Sequence, residues 1–113
     1  MTLEATEAEC AAGRTAPRVS LADIEAAIMH RYDITGADAV RPDDGVRITQ
    51  PSLNILSICI LVMRNGFTII GKAAPASPEN FDRALGIKLA YEDAVRQVWP
   101  LMGYALRDRL AAA

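Results

Sequence analysis

The chain has 113 residues, 51% apolar, 23% charged and 5% aromatic, the balance of a single soluble domain rather than of a disordered segment. Its longest apolar run, Ile55 to Met63 interrupted by Ser57, is far short of the ~20 residues that span a bilayer, so no membrane role is expected. Two cysteines, Cys10 and Cys59, make neither a disulfide framework nor a zinc pattern, and one histidine, His30, leaves no metal constellation.

With that inventory, acid-base chemistry is poorly supplied, and neither an enzyme nor a cofactor is expected. Glu4, Glu7 and Glu9 stand where a signal peptide would carry basic residues, which points to the cytoplasm. The net charge of −2 conceals an asymmetry: residues 1–45 hold four basic and nine acidic groups, residues 46–113 eight basic and five acidic. So mild a basic excess does not make a nucleic-acid footprint, but it suits a compact anionic ligand.

Residues 1–17 are rich in Ala, Glu and Thr with few large apolar side chains. They read as a mobile arm that buries too little surface to offset ordering, ahead of one α+β domain over residues 18–113. Ser20 with Asp23 forms a capping-box pattern, and Leu21, Ile24 and Ile28 repeat at helical spacing behind it. His30 then falls near the end of that helix, as a favourable C-terminal charge or a half-buried polar group. Asp33 to Ser52 carries Gly36, Pro42, Gly45 and Pro51 among several aspartates, which is loop chemistry, with Val46 to Thr49 as a short edge strand.

Leu53 to Met63 and Phe67 to Lys72, joined by Arg64-Asn65-Gly66, predict an antiparallel hairpin, or a three-stranded sheet with the edge strand added. Leu53, Ile55, Cys59, Leu61 and Met63 share one face of the first strand and Leu56, Ile58, Ile60 and Val62 the other. Both faces are apolar, so helix on one side alone leaves a face for a second layer or a second subunit. Ser77-Pro78-Glu79 reads as the start of a long helix, whose arc is Ala84, Ile87, Tyr91, Ala94, Val95 and Val98. Pro100 ends it and starts a short C-terminal helix.

The candidate ligand residues follow from these placements. The amides from Ser77 to Asn80, next to Lys72, suit a phosphate, although Ser77 also reads simply as a cap and Lys72 as a solvated side chain. Arg64 and Arg47 flank the hairpin, where an arginine either forks onto an anion or keeps an edge soluble. Lys88 and Glu92, four apart, read as a surface pair or as a polar element facing something bound. Phe81, Trp99 and Tyr104 offer an apolar or stacking wall, or core and interface anchors. Asp43 and Asp44 lack metal-ligand spacing.

Asn65-Gly66-Phe67-Thr68 and Ala76-Ser77-Pro78-Glu79-Asn80-Phe81-Asp82, followed by Gly86, Lys88, Ala90, Ala94, Trp99, Gly103-Tyr104 and Leu106-Arg107, form an order that resembles a small phage and prophage family. That family is named for gene product forty-nine of phage N-four and gene sixty-six of phage Sf-six, and the resemblance runs from about Arg18 to Leu110. Where members carry a Gly-Glu-Ser-Ala-Cys-like segment after the second strand, this chain has Gly71-Lys72-Ala73-Ala74-Pro75. A role resting on that carboxylate, hydroxyl and thiol has no residue here to carry it.

The resemblance implies a phage-encoded protein in the cytoplasm of an infected bacterium. The function expected from it is counter-defence by a homo-oligomer that sequesters a host immune nucleotide, a cyclic dinucleotide or cyclic ADP-ribose-type signal, between subunits. The expected ligand residues are Arg64, Lys72, Ser77, Asn80, Phe81, Lys88, Trp99 and Tyr104. The alternative is an accessory protein that inhibits a host or phage protein through its hairpin or long helix.

Overall fold

The computed structural model describes residues 2–40 and 50–113. The expected edge strand at Val46 to Thr49, with Arg47 and the Asp43-Asp44 pair, lies outside the described residues.

Helix α1 (Leu3–Ala11) opens the chain, its N-terminus capped by Thr2, whose Oγ1 accepts from the Ala5 N–H at 3.0 Å. Composition gives this stretch little to bury, yet Leu3 is 4% exposed and belongs to the core beside Val19, Leu21 and Trp99. A single well-placed leucine docks the helix, and a bidentate pair from Arg18 to Glu7 at 2.9 and 3.2 Å holds its outer side. Helix α2 (Leu21–Ala27) begins with the expected capping box, each partner of Ser20 and Asp23 bonding the other's backbone N–H.

The helix ends at Ala27, earlier than the Leu21-Ile24-Ile28 spacing suggests, and Ile28 opens strand β1 (Ile28–Thr35). His30 therefore sits on a strand, exposed, with its ring 6.3 Å from that of Tyr32. A strand occupies the first part of what reads in sequence as a loop, because β1 is an edge strand whose middle residues are exposed and show no alternation of burial. Single helical turns follow at α3 (Gly36–Ala39) and α4 (Pro51–Asn54), so the next strand starts at Ser57 rather than Leu53.

Strands β2 (Ser57–Met63) and β3 (Thr68–Ala73) form the expected hairpin, and the sheet order is β1-β2-β3, antiparallel throughout. Gly66, at φ 88°, supplies the left-handed turn residue, and the Asn65 Oδ1 accepts from the Phe67 N–H at 3.0 Å. The alternation along β2 is as predicted: Ser57, Cys59, Leu61 and Met63 are buried, and Ile58, Ile60 and Val62 half-buried.

After β3 comes a 3₁₀ turn, Pro78–Asn80, and then one helix, α5 (Arg83–Ala112). Ser77 makes no capping bond; Asp82 caps the helix instead, its Oδ1 accepting from the Leu85 N–H at 3.2 Å. Pro100 does not divide α5. It lies exposed, while Trp99 beside it donates through Nε1 to the Val19 carbonyl at 3.1 Å.

Ala90, Ala94, Val95 and Val98 of α5 pack over the odd-numbered face of β2 and β3. The predicted arc holds at Ala94, Val95 and Val98, with Ile87 and Tyr91 half-buried at its border and Ala84 exposed. Gly71 makes the closeness of this layer possible: a Cβ there would fall inside contact distance of the Ala90 carbonyl and the Ala94 amide. The opposite sheet face aligns Tyr32, Ile60 and Ile70 in one row, and no described element covers it; Tyr32 is 52% exposed and Ile70 59%.

Candidate functional site

An apolar concavity lies between the tip of the β2-β3 hairpin and the second half of α5. It encloses about 450 Å³, within the range of small-molecule sites. Met63 and Ile69 from the sheet and Val98 and Met102 from the helix form its apolar wall, and Phe67 and Leu101, both largely exposed, stand at its mouth. Two guanidinium groups border the same space, Arg64 from the turn and Arg109 from the end of α5. Arg64 donates through Nε to the Ala26 carbonyl at 2.6 Å, which pins the turn to the end of α2. Among the described residues, its Nη groups and the whole Arg109 head have no partner.

A second, much smaller cleft of about 90 Å³ lies at the other end of the sheet, where Asn80, Phe81 and Asp82 meet Ser57 and Leu85. Ser57 is buried, accepts through Oγ from the Arg83 guanidinium at 3.2 Å, and lies so close to Gly86 that a Cβ there would overlap its hydroxyl. A third, open trough of about 620 Å³ runs between α1 and α5, bordered by Cys10, Arg14, Arg18 and Trp99. Its basic groups are engaged: Arg14 caps the end of α1 through the Glu9, Cys10 and Ala12 carbonyls, and Arg18 pairs with Glu7.

The residues expected to bind one ligand are thus distributed. Asn80 and Phe81 share the small cleft, Arg64 borders the hairpin cavity, and Trp99 borders the trough. Lys72, Ser77, Lys88 and Tyr104 border none of the three, and Tyr104 is 73% exposed. The length of β2, roughly 20 Å at 3.3 Å per residue, separates the hairpin tip from the cleft. Lys72 contributes its backbone rather than its ammonium: its N–H donates to Asp93 Oδ2 at 2.9 Å. Lys88 and Glu92 do not form the expected surface pair, since Glu92 is 6% exposed and the ion pairs among the described residues are Arg18–Glu7 and Arg31–Asp33.

Arg109 escapes the sequence reading, although a signal exists. Val98, Met102, Ala105 and Arg109 fall at helical spacing along one stripe, and a break at Pro100 cuts that stripe in two.

Cys59 is fully buried beneath α5, and that burial, with the Asp33 carboxylate beside it, pushes its thiol up to about 11. Tyr91 is likewise raised by burial, its ring lying under the Arg31 guanidinium at 3.9 Å. Among the described residues no group of three or more His, Cys, Asp or Glu side chains is placed to hold a metal ion, and no helix is long and apolar enough to cross a membrane.

Fold and site together define a small α+β protein: a three-stranded antiparallel sheet with one long helix on one face and an arginine-bordered apolar cavity at the hairpin tip. The chain belongs to the phage protein (N4 Gp49/phage Sf6 gene 66) family, whose model matches residues 19–110. No curated protein and no solved structure matches it significantly.

Proposed function

We propose that this phage protein is a non-catalytic binding protein that sequesters a host immune nucleotide, of the cyclic dinucleotide or cyclic ADP-ribose class, in the hairpin cavity. The observation that carries this reading is the pairing of the Arg64 Nη groups and the Arg109 head with an apolar wall that includes Phe67. Guanidinium forks match phosphate oxygens, and an aromatic and aliphatic wall matches a base. Phage membership supports a host molecule as the target. Asn80 and Phe81 line too small a cleft to hold a nucleotide, so this reading moves the binding residues from the start of α5 to its end.

The test is a thermal-shift panel of cyclic di- and trinucleotides and cyclic ADP-ribose isomers, with heat release to ask whether the ligand returns intact. One ligand at ~100 times its dissociation constant stabilises by about 2.7 kcal/mol, and Arg109→Met abolishes that shift without touching the Arg64–Ala26 bond. No shift across the panel overturns the proposal. A ligand returned cleaved replaces the sponge with an enzyme.

A second reading rests on the uncovered sheet face, where Tyr32 and Ile70 are more than half exposed beside Ile60. It makes the protein an inhibitor of a host or phage protein that docks there. A co-purifying protein whose capture is lost in Ile70→Lys, with no nucleotide shift, would favour it.

A further inference from the structure

The three-stranded sheet has two edges, and they are finished differently. On β3, α5 occupies two outward backbone groups: the Lys72 N–H donates to Asp93 Oδ2 at 2.9 Å, and the Ile70 carbonyl accepts from Gln97 Nε2 at 2.7 Å. On β1, no described group bonds to the outer side.

The direction of the free groups follows from the register. Gly36 donates to the Leu56 carbonyl at 2.9 Å, in line with the Thr35–Ser57 and Ile34–Ile58 partners. Hydrogen-bonded pairs alternate along an antiparallel ladder, so Ile34 and Tyr32 bond to β2 while Asp33 and Arg31 turn their N–H and C=O outward. Arg31, Tyr32 and Asp33 are all exposed.

We propose that this edge pairs with the same edge of a second copy, β1 running antiparallel to its mate about a two-fold axis at Tyr32, to give one continuous six-stranded sheet. Charge selects the register. With Tyr32 opposite itself, Arg31 of each copy stands opposite Asp33 of the other, and both residues present their free backbone groups to each other. Sliding by two residues sets arginine against arginine or aspartate against aspartate, which is repulsive. Sliding by one sets outward groups against residues already bonded to β2. The Arg31–Asp33 pair within each strand, 3.1 Å apart, shows both side chains on the face toward α5, so the cross-pairs form there without moving either strand. Tyr32 meets its mate on the opposite face, beside the Ile60 and Ile70 row, and the two uncovered faces merge into one surface. This pairing does not depend on the nucleotide reading: a monomer that still binds nucleotide overturns the pairing alone.

Sedimentation equilibrium tests it by charge exchange. Wild-type protein sediments as a dimer, and Arg31→Glu and Asp33→Arg each weaken dimerisation roughly tenfold or more by setting like charges opposite. An equimolar mixture of the two variants re-forms a dimer, because each charge then meets its opposite. Wild-type protein that stays monomeric, single variants that stay dimeric, or a mixture that fails to associate overturns the proposal. Should either charge variant misfold, Tyr32→Cys in a Cys10→Ser background gives the same decision. It cross-links to itself under mild oxidation while Thr68→Cys, on the far strand, does not; equal cross-linking of the two overturns it.

Discussion

The β3 edge and the β1 edge belong to the same sheet and pair with the same central strand, yet among the described residues α5 bonds to the outer side of one and nothing bonds to the other. The sealing of β3 starts at Gly71, which admits α5 so closely that Asp93 and Gln97 reach past the sheet and bond the outward amide and carbonyl of the strand. Strand β1 has no glycine of this kind and, among the described residues, no helix bonded along its outer margin. It carries Arg31 and Asp33 instead, charges of opposite sign on one face. An edge left to solvent is a liability unless it is charged or partnered. Here the charges are placed so that they discourage most foreign strands and suit an inverted copy of themselves.

The strongest way to break this contrast is Gly71→Val. The added side chain would overlap the Ala90 carbonyl and the Ala94 amide, backbone atoms that cannot turn aside, so α5 must lift from the sheet. A loss of about 3 kcal/mol, the upper end for overpacking, is expected in urea unfolding, with the β3 edge exposed as the helix leaves.

Next comes the row that crosses the sheet from the bare edge to the sealed one, Asp33–Cys59–Gly71. The Cys59 thiol titrates at about 11 in the folded chain against an ordinary value of 9.0. Below pH 9 both states hold the proton and nothing changes. Between about 9 and 11 the unfolded chain ionises first, so stability falls as pH rises, by up to about tenfold in the folding constant per pH unit. The difference in slope between wild type and Cys59→Ala isolates this effect. In the native state the exposed Cys10 should be alkylated and the buried Cys59 should not, which mass spectrometry after iodoacetamide treatment checks.

Asp93→Ala removes the acceptor for the Lys72 amide at an exposed edge, where water substitutes in part; a loss of about 1 kcal/mol is expected by thermal melting, with increased aggregation as the sealed edge is opened. The smallest effect belongs to the edge-remote pair Glu7–Arg18. The arginine bond holds the Glu7 carboxyl below its ordinary range, so its contribution is present above that range and lost as pH falls through the lowered value. Hydrogen exchange in α1 should accelerate in mild acid, and Glu7→Gln should show the faster exchange at neutral pH while leaving β2 unchanged.

Much of this architecture is written locally. The Asn65-Gly66 turn, the alternation along β2, the Ser20–Asp23 capping box and the helical repeat from Ala90 to Val98 each declare themselves over a few residues, and each is present. Strand β1 is less legible because Ile28 continues the helical spacing of Leu21 and Ile24 while the exposed His30 to Asp33 lack alternation. The start of α5 misleads for a different reason. Ser77-Pro78 has the composition of a cap, but the chain first makes a 3₁₀ turn, placing Phe81 against the cleft, and Asp82 then caps. Proline chemistry predicts a stop at Pro100, but the helix runs on past it, with Trp99 docked on the Val19 carbonyl beside it. The candidate site suffers most, because Arg64 and Arg109 border one cavity only once α5 is known to be continuous.

The Trp99 contact has a further use. It is the only tryptophan in the chain, and its indole N–H reaches a carbonyl 80 residues earlier, at the joint between the N-terminal segment and the long helix. Its emission therefore reports on a single seam. A red shift that precedes loss of sheet signal would record the N-terminal segment peeling away from an intact sheet, and a coincident change would record one cooperative unit.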